Sequence, residues 1–269
     1  MTTTSDPIAF PLDVPRPTPV GGLRAQHAIV GDLQRSVRLG PDQLRRRPTA
    51  GSGRRPRVSG VRPTALPRVA VPAAVPEPVL TLDEVLARRE SVRFHSDVPL
   101  DPAVVARVVR AGHAADAAAW PDEAAAGLGI ELLVAARRMT GAAPAVYRLA
   151  GDAFEPLADL HDEDADDLVL QLEFAASPVI LVAIAPFADA LERWGDHGER
   201  LANTRAAAAV SAALLEAFSL GLDGSPFAGF LTSGLRRLLD VDGYANAQMF
   251  AASLGHRAGE DTTDADTTR

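Results

Sequence analysis

Apolar and polar positions alternate with regular periods over residues 81–259, and they lose that regularity before residue 81. Thr81-Leu82-Asp83-Glu84 has the spacing of a capping box, in which the threonine and glutamate satisfy each other's free amides. It predicts a short helix ending near Arg89. Asp101 before Pro102 predicts a second helix start, with Val104, Val105, Val108 and Val109 as its apolar stripe and Gly112 just past its end. Residues 131–136 read as a strand, and 145–149 with 154–157 as a hairpin turning at Gly151-Asp152. The acids of 162–174 sit near the start of an expected helix, where the dipole favours them. The unbroken apolar run 179–185 predicts a buried strand. A short helix over 187–194 is expected to stop at Gly195, and a long helix over 199–220 at Gly221. A short helix at 233–239 and a strand at 248–254 complete one α+β domain over 81–259. Residues 260–269 read as an acidic tail.

The first 80 residues differ in kind. They hold 13 of the 21 prolines, and they carry 12 arginines against 5 acids. Proline withholds the donor that helices and central strands need, so residues 1–80 read as a basic, proline-rich arm. A short helix at 31–37 and an extended linker at 67–78 are expected within it. The rest of the chain carries 15 arginines against 30 acids, so a net +7 arm precedes a net −15 body. All 27 basic residues other than histidine are arginine, which excludes a lysine Schiff base and a Walker lysine. The absence of cysteine excludes disulfides, thiolate metal sites and a cysteine nucleophile. The longest apolar run, 178–187, is well short of the roughly 20 residues of a membrane span. No secretory signal pattern opens the chain, so a soluble, cytoplasmic protein is expected.

Candidate chemistry is sparse. The six histidines lack metal-ligand spacing. Asp162, Asp164, Asp166 and Glu173 echo a calcium loop, but Asp167 stands where that loop needs glycine. No GxSxG or GxGxxG pattern is present. The arm has phosphate-neutralising arginines, but Phe10 is its only aromatic, which disfavours nucleic acid as a partner. One constellation stands out. Arg89, Ser91 and Arg93 alternate, so an extended chain would place two guanidinium forks and a hydroxyl on one face, a set suited to phosphate.

That segment, Arg89-Glu90-Ser91-Val92-Arg93-Phe94, is followed by Asp97-Val98-Pro99-Leu100. Val146-Tyr147-Arg148-Leu149, Ser177-Pro178-Val179-Ile180-Leu181-Val182, and Leu220-Gly221-Leu222 through Ser225-Pro226-Phe227-Ala228-Gly229-Phe230 come later. Together they resemble the nitroreductase-like FMN-dependent superfamily, and within it the azoline oxidases of thiazole- and oxazole-modified peptide biosynthesis. The likeness covers about residues 81–258. It implies a mixed sheet flanked by helices and a homodimer holding two FMN molecules at its interface. The resemblance assigns Arg89, Ser91 and Arg93 to the phosphate and ribityl end of FMN. It assigns Pro226, Phe227, Ala228 and Gly229 to a loop over the flavin ring, and Arg257 to the phosphate. Arg193 and Trp194 stand where azoline oxidases carry a catalytic lysine–tyrosine pair. Ala207, Ala208, Ser211 and Ala212 replace glycine-histidine and glutamine-asparagine pairs, and Pro121 to Gly127 is more acidic than the family's loop.

The implied activity is oxidation of azolines to azoles in a ribosomally made peptide. The basic arm is then expected to recruit an acidic leader peptide or a partner modification enzyme. Two alternatives stay open: a nitroreductase-fold scaffold subunit without flavin turnover, and a general NAD(P)H-dependent nitroreductase.

Overall fold

A computed structural model describes residues 58–74 and 76–259. The helix expected at 31–37, the arm before residue 58 and the tail 260–269 lie outside the described residues. In chain order the elements are β1 (Val69–Ala70), α1 (Leu82–Arg88), α2 (Pro102–Ala119), α3 (Pro121–Ala125), β2 (Glu131–Ala136), β3 (Ala145–Ala150), β4 (Ala153–Asp159) and α4 (Asp162–Asp166). Then come α5 (Leu172–Ala175), β5 (Val179–Ala185), α6 (Phe187–Trp194), α7 (His197–Ser219), β6 (Asp223–Phe227), α8 (Thr232–Leu238) and β7 (Ala247–Gly255). The strands form one sheet in the order β1-β4-β3-β2-β5-β7-β6. Every pairing between these strands is antiparallel, and an isolated bridge between Leu100 and Met139 is parallel.

The central strand β5 is buried along its whole length because both faces are covered. Val179, Leu181, Ala183 and Ala185 enter one core with α2 and α7, while Ile180, Val182 and Ile184 enter a second with residues of α4, α5 and α8. The sheet is thus the middle of three layers, which satisfies the α+β expectation.

The capping box forms as read: Glu84 N–H donates to the Thr81 hydroxyl, and Thr81 N–H donates to Glu84 at 2.8 Å. Asp101 caps α2 through Ala103 N–H. However, α2 runs on through Gly112 to Ala119. A methyl at Gly112 would lie 2.4 Å from Leu132 Cδ1 and 2.8 Å from the Ala209 carbonyl oxygen. The glycine therefore serves close packing of α2 on α7, whose buried Ala206, Ala209 and Ala213 are equally thin.

The single helix expected over 162–174 is two short ones. Between them Leu231 N–H donates to the Leu168 carbonyl at 2.6 Å, and Leu170 N–H to the Gly229 carbonyl at 2.7 Å. This pairing with the 229–231 segment takes up groups that a continuous helix would need. The linker expected at 67–78 supplies β1, which pairs with the β4 edge. Contacts begin earlier still: Val58 is 1% exposed, and Ser59 bonds to Asp240. Strand β6 and helix α3 went unread, since Gly224 and Pro226 mask a strand that tolerates proline only because it is outermost. No helix among the described residues is long and apolar enough to cross a membrane.

Candidate functional site

A cleft of about 420 Å³ opens where the end of α1 meets α7 and the outer strands β6 and β7. Helix α7 lines it with Ala207, Ser211, Leu214, Leu215 and Phe218, which helical periodicity places on one face. Leu86 and Phe250 add apolar surface, and Pro226 and Gly224 form the β6 side. The polar corner comes from Arg89, Glu90 and Ser91, which follow α1 directly. Arg89 is the C-cap residue of α1, its N–H donating to the Val85 carbonyl, and beyond it the chain is extended. Val92 N–H then donates to the Gly224 carbonyl at 3.2 Å and pins this segment to β6. The Arg89 guanidinium makes no ion pair with any described residue.

Several expected site residues lie elsewhere. The Arg93 guanidinium is 3.8 Å from Glu173 of α5 and does not line the cleft, so the three-residue face reduces to Arg89 and Ser91. Phe227 is buried and stacks on Phe174 with ring centroids 4.3 Å apart, so its ring belongs to the second core rather than to a loop over a ligand. Gly229 spends its carbonyl on Leu170, and Ala228 is exposed beside it. Of the four residues expected in that loop, only Pro226 lines the cleft.

Arg257 follows β7 and pairs with two carboxylates, Glu90 and, at 3.3 Å, Asp223. Hydrogen bonds to Glu90 first and Asp223 second raise its pKa above the ordinary guanidinium value. Nearby, His95 Nε2 lies 3.2 Å from the Ser253 hydroxyl, which is fully buried and so closed to substrate. Burial holds the His95 pKa below the usual histidine range, against the opposing pull of Asp223.

Arg193 and Trp194 occupy a separate region, packed with Trp120, Leu128 and Ala202. Arg193 pairs with Glu123 of α3 at 3.0 Å, with both side chains largely buried, and its guanidinium sits 5.7 Å from the Trp194 ring centroid. Glu123 of the acidic loop is therefore neutralised from within the chain. Beside it, Arg205 makes a two-pronged pair with Asp116 at 2.8 and 2.9 Å and lies 5.5 Å from the Trp120 ring centroid.

The cleft wall was hidden in α7. Its residues are spaced by three or four and were legible as a helix face, but not as a cavity lining. Glu90 lines the cleft as well, a role that the alternation of Arg89, Ser91 and Arg93 does not signal.

Comparison with known proteins decides the family. A model of the nitroreductase family matches residues 86–256, more than half of the chain. The chain belongs to the nitroreductase family. Among solved structures, this nitroreductase-family chain is similar to a protein of Anabaena variabilis designated a nitroreductase, with 15% identity and a TM-score of 0.57. The match covers 71% of this chain and 42% of that one, so the chain spans less than half the length of that protein. A protein of Ralstonia eutropha with the same designation matches at 17% identity and TM-score 0.49, over 72% of this chain and 99% of that one. A nitroreductase family protein of Clostridium novyi matches at 16% identity and TM-score 0.48, over 66% and 87%. At 15% identity, the likeness to the Anabaena variabilis protein concerns the fold alone. No curated protein matches the chain.

Proteins of this family typically bind flavin, and the cleft fits one. Arg89 and Ser91 offer a phosphate a hydroxyl and a guanidinium that has no ion pair among the described residues. Leu214, Leu215, Phe218 and Phe250 offer apolar surface to a planar ring, and the thin Ala207 and Ser211 leave it room.

Proposed function

We propose that the protein is an FMN-dependent oxidoreductase using the cleft between α1, α7 and β6. The observation that carries this reading is the Arg89 guanidinium, without an ion pair among the described residues, beside Ser91 in a cavity whose other lining is mostly apolar apart from Glu90 and Ser211. Hydride transfer is the chemistry that bound FMN supplies. Arg89 and Ser91 hold the phosphate. Leu86, Leu214, Leu215, Phe218 and Phe250 exclude water from the ring. Pro226 limits the cleft on its β6 side. As in the resemblance drawn above, two copies are proposed to form the working unit, with the basic arm recruiting an acidic leader peptide or a partner enzyme in the cytoplasm.

The substrate class attached to this reading is an azoline within a modified peptide, supported by the motif likeness from Arg89 to Gly229. A second reading, NAD(P)H-dependent reduction of a small acceptor, is favoured by Arg193. That side chain is locked to Glu123, and arginine keeps its proton at neutral pH, so it cannot stand in for a proton-shuttling lysine.

The visible spectrum of the purified protein tests the cofactor. Binding with micromolar affinity or better, weakened about tenfold or more by Arg89→Gln, is expected from a lost charge-assisted bond. A protein that stays colourless after incubation with FMN and gel filtration refutes the reading. Anaerobic bleaching of bound flavin by an azoline peptide, or by NADPH, separates the two substrate readings.

A further inference from the structure

Glu90 sits in an unfavourable place for a residue of an anion site. It lies between Arg89 and Ser91 in sequence, and it lines the same cleft. A free carboxylate there would repel a phosphate. Its charge is instead engaged by Arg257, which reaches it from the end of β7 and also takes Asp223 at 3.3 Å. The main chain fixes this meeting. Ser96 N–H donates to the His256 carbonyl at 2.7 Å, Ala258 N–H donates to the Phe94 carbonyl at 3.1 Å, and His95 bridges Arg257 in antiparallel register. The segment after α1 and the segment after β7 are thus zipped together, with Glu90 held at its Arg257 partner. Arg257 itself does not line the cleft, and its Nε is buried with no hydrogen-bond partner among the described residues.

We propose that Arg257 is a positioning residue for the anion corner: it holds and neutralises the Glu90 carboxylate so that Arg89 and Ser91 can take a phosphate, and it does not touch that phosphate. The proposal rests on the FMN reading above and departs from the direct phosphate role that family resemblance implies for Arg257. It makes the corner a balance of four charged groups. Arg89 attracts the ligand, Glu90 opposes it, Arg257 cancels Glu90, and Asp223 keeps Arg257 in place.

The test is a double-variant cycle read as binding, with FMN and riboflavin titrated by flavin fluorescence. Riboflavin lacks the phosphate, so it reports ring binding alone. Arg257→Gln is expected to weaken FMN about tenfold, the scale of one uncompensated charge near a dianion, with riboflavin affinity unchanged. Adding Glu90→Gln to Arg257→Gln is expected to restore FMN affinity to within about threefold of wild type, and Arg257→Lys to retain it. If the double variant stays as weak as Arg257→Gln, Arg257 contacts the anion directly and the proposal fails. It fails equally if Arg257→Gln leaves FMN binding unchanged, or weakens riboflavin as much as FMN. A wild-type chain that binds no FMN fails the functional reading instead. The same cycle, read as the Tm shift produced by inorganic phosphate, then decides the role of Arg257. There, absence of any wild-type shift, or no restoration by the second substitution, overturns it.

Discussion

Asp116 and Arg205 tie α2 to α7 and should be among the costliest side chains to separate. Their side chains are 2% and 7% exposed, and the guanidinium meets the carboxylate with two hydrogen bonds. Asp116 also accepts from Ile130 N–H at 2.9 Å, and Arg205 donates to the Leu128 carbonyl at 3.0 Å. The pair therefore fixes the loop leading into β2 as well as the helix crossing. Asp116→Asn leaves the buried Arg205 charge without a counter-charge, and Arg205→Met strands the Asp116 carboxylate. Each is expected to cost about 3 to 5 kcal/mol, the range for breaking a buried ion pair. With a urea m-value of about 2 kcal/mol/M, that is a midpoint drop of roughly 1.5 to 2.5 M. The double variant should cost far less than the two losses together, because no unpaired charge remains. Urea unfolding of the four proteins measures the coupling directly. Single losses under about 1 kcal/mol, or losses that add to within about 0.5 kcal/mol, would refute the reasoning.

Two further outcomes follow from close packing and burial. Gly112→Ala drives a methyl into the Ala209 carbonyl and Leu132, so it should destabilise by about 1 to 3 kcal/mol despite alanine's better helix propensity, as thermal unfolding would show. His113 is held below the ordinary histidine pKa chiefly by burial, with Glu131 and Asp116 opposing, and its Nε2 accepts the Leu132 N–H at 3.0 Å, which only the neutral ring can do. The unfolded chain therefore takes up this proton first, so stability is full above about pH 6.5 and falls as pH drops below it, with a slope approaching about 1.4 kcal/mol per unit. His113→Gln should flatten that slope below about pH 6.5 in pH-resolved urea unfolding, with His95 left to contribute its own part.

What the sequence revealed depended on how local the determining physics was. The capping box at Thr81, the strands 131–136 and 179–185, and the stop at Gly195 are set by neighbouring residues, and they stand as read. Gly112 misled because its reason for being glycine lies across the layer, at Ala209 and Leu132. The split of 162–174 and the strand at β6 depend on pairing with distant segments. The same divide runs through the site. Arg89 and Ser91 line one cleft, but the intervening Glu90 lines it too, so alternation is not what gathers them, and Arg93, Phe227 and Arg193 are claimed by Glu173, Phe174 and Glu123, partners that no local pattern announces.

The stretch from Val58 to Val71 has a consequence for how the chain comes into being. It touches Asp240, Leu238, Glu155 and the β3–β4 hairpin turn, and it covers the outer edge of β4. The Ser59–Asp240 bond spans 181 positions. On a ribosome adding about 5 to 20 residues per second, this stretch emerges on the order of ten to forty seconds before that anchor exists. Strand β1 can pair as soon as β4 is made, whereas the Ser59–Val61 end must wait for residues 238–240. During the interval only the two-residue β1 can cover the β4 edge, which makes nascent chains the stage most exposed to pairing with one another.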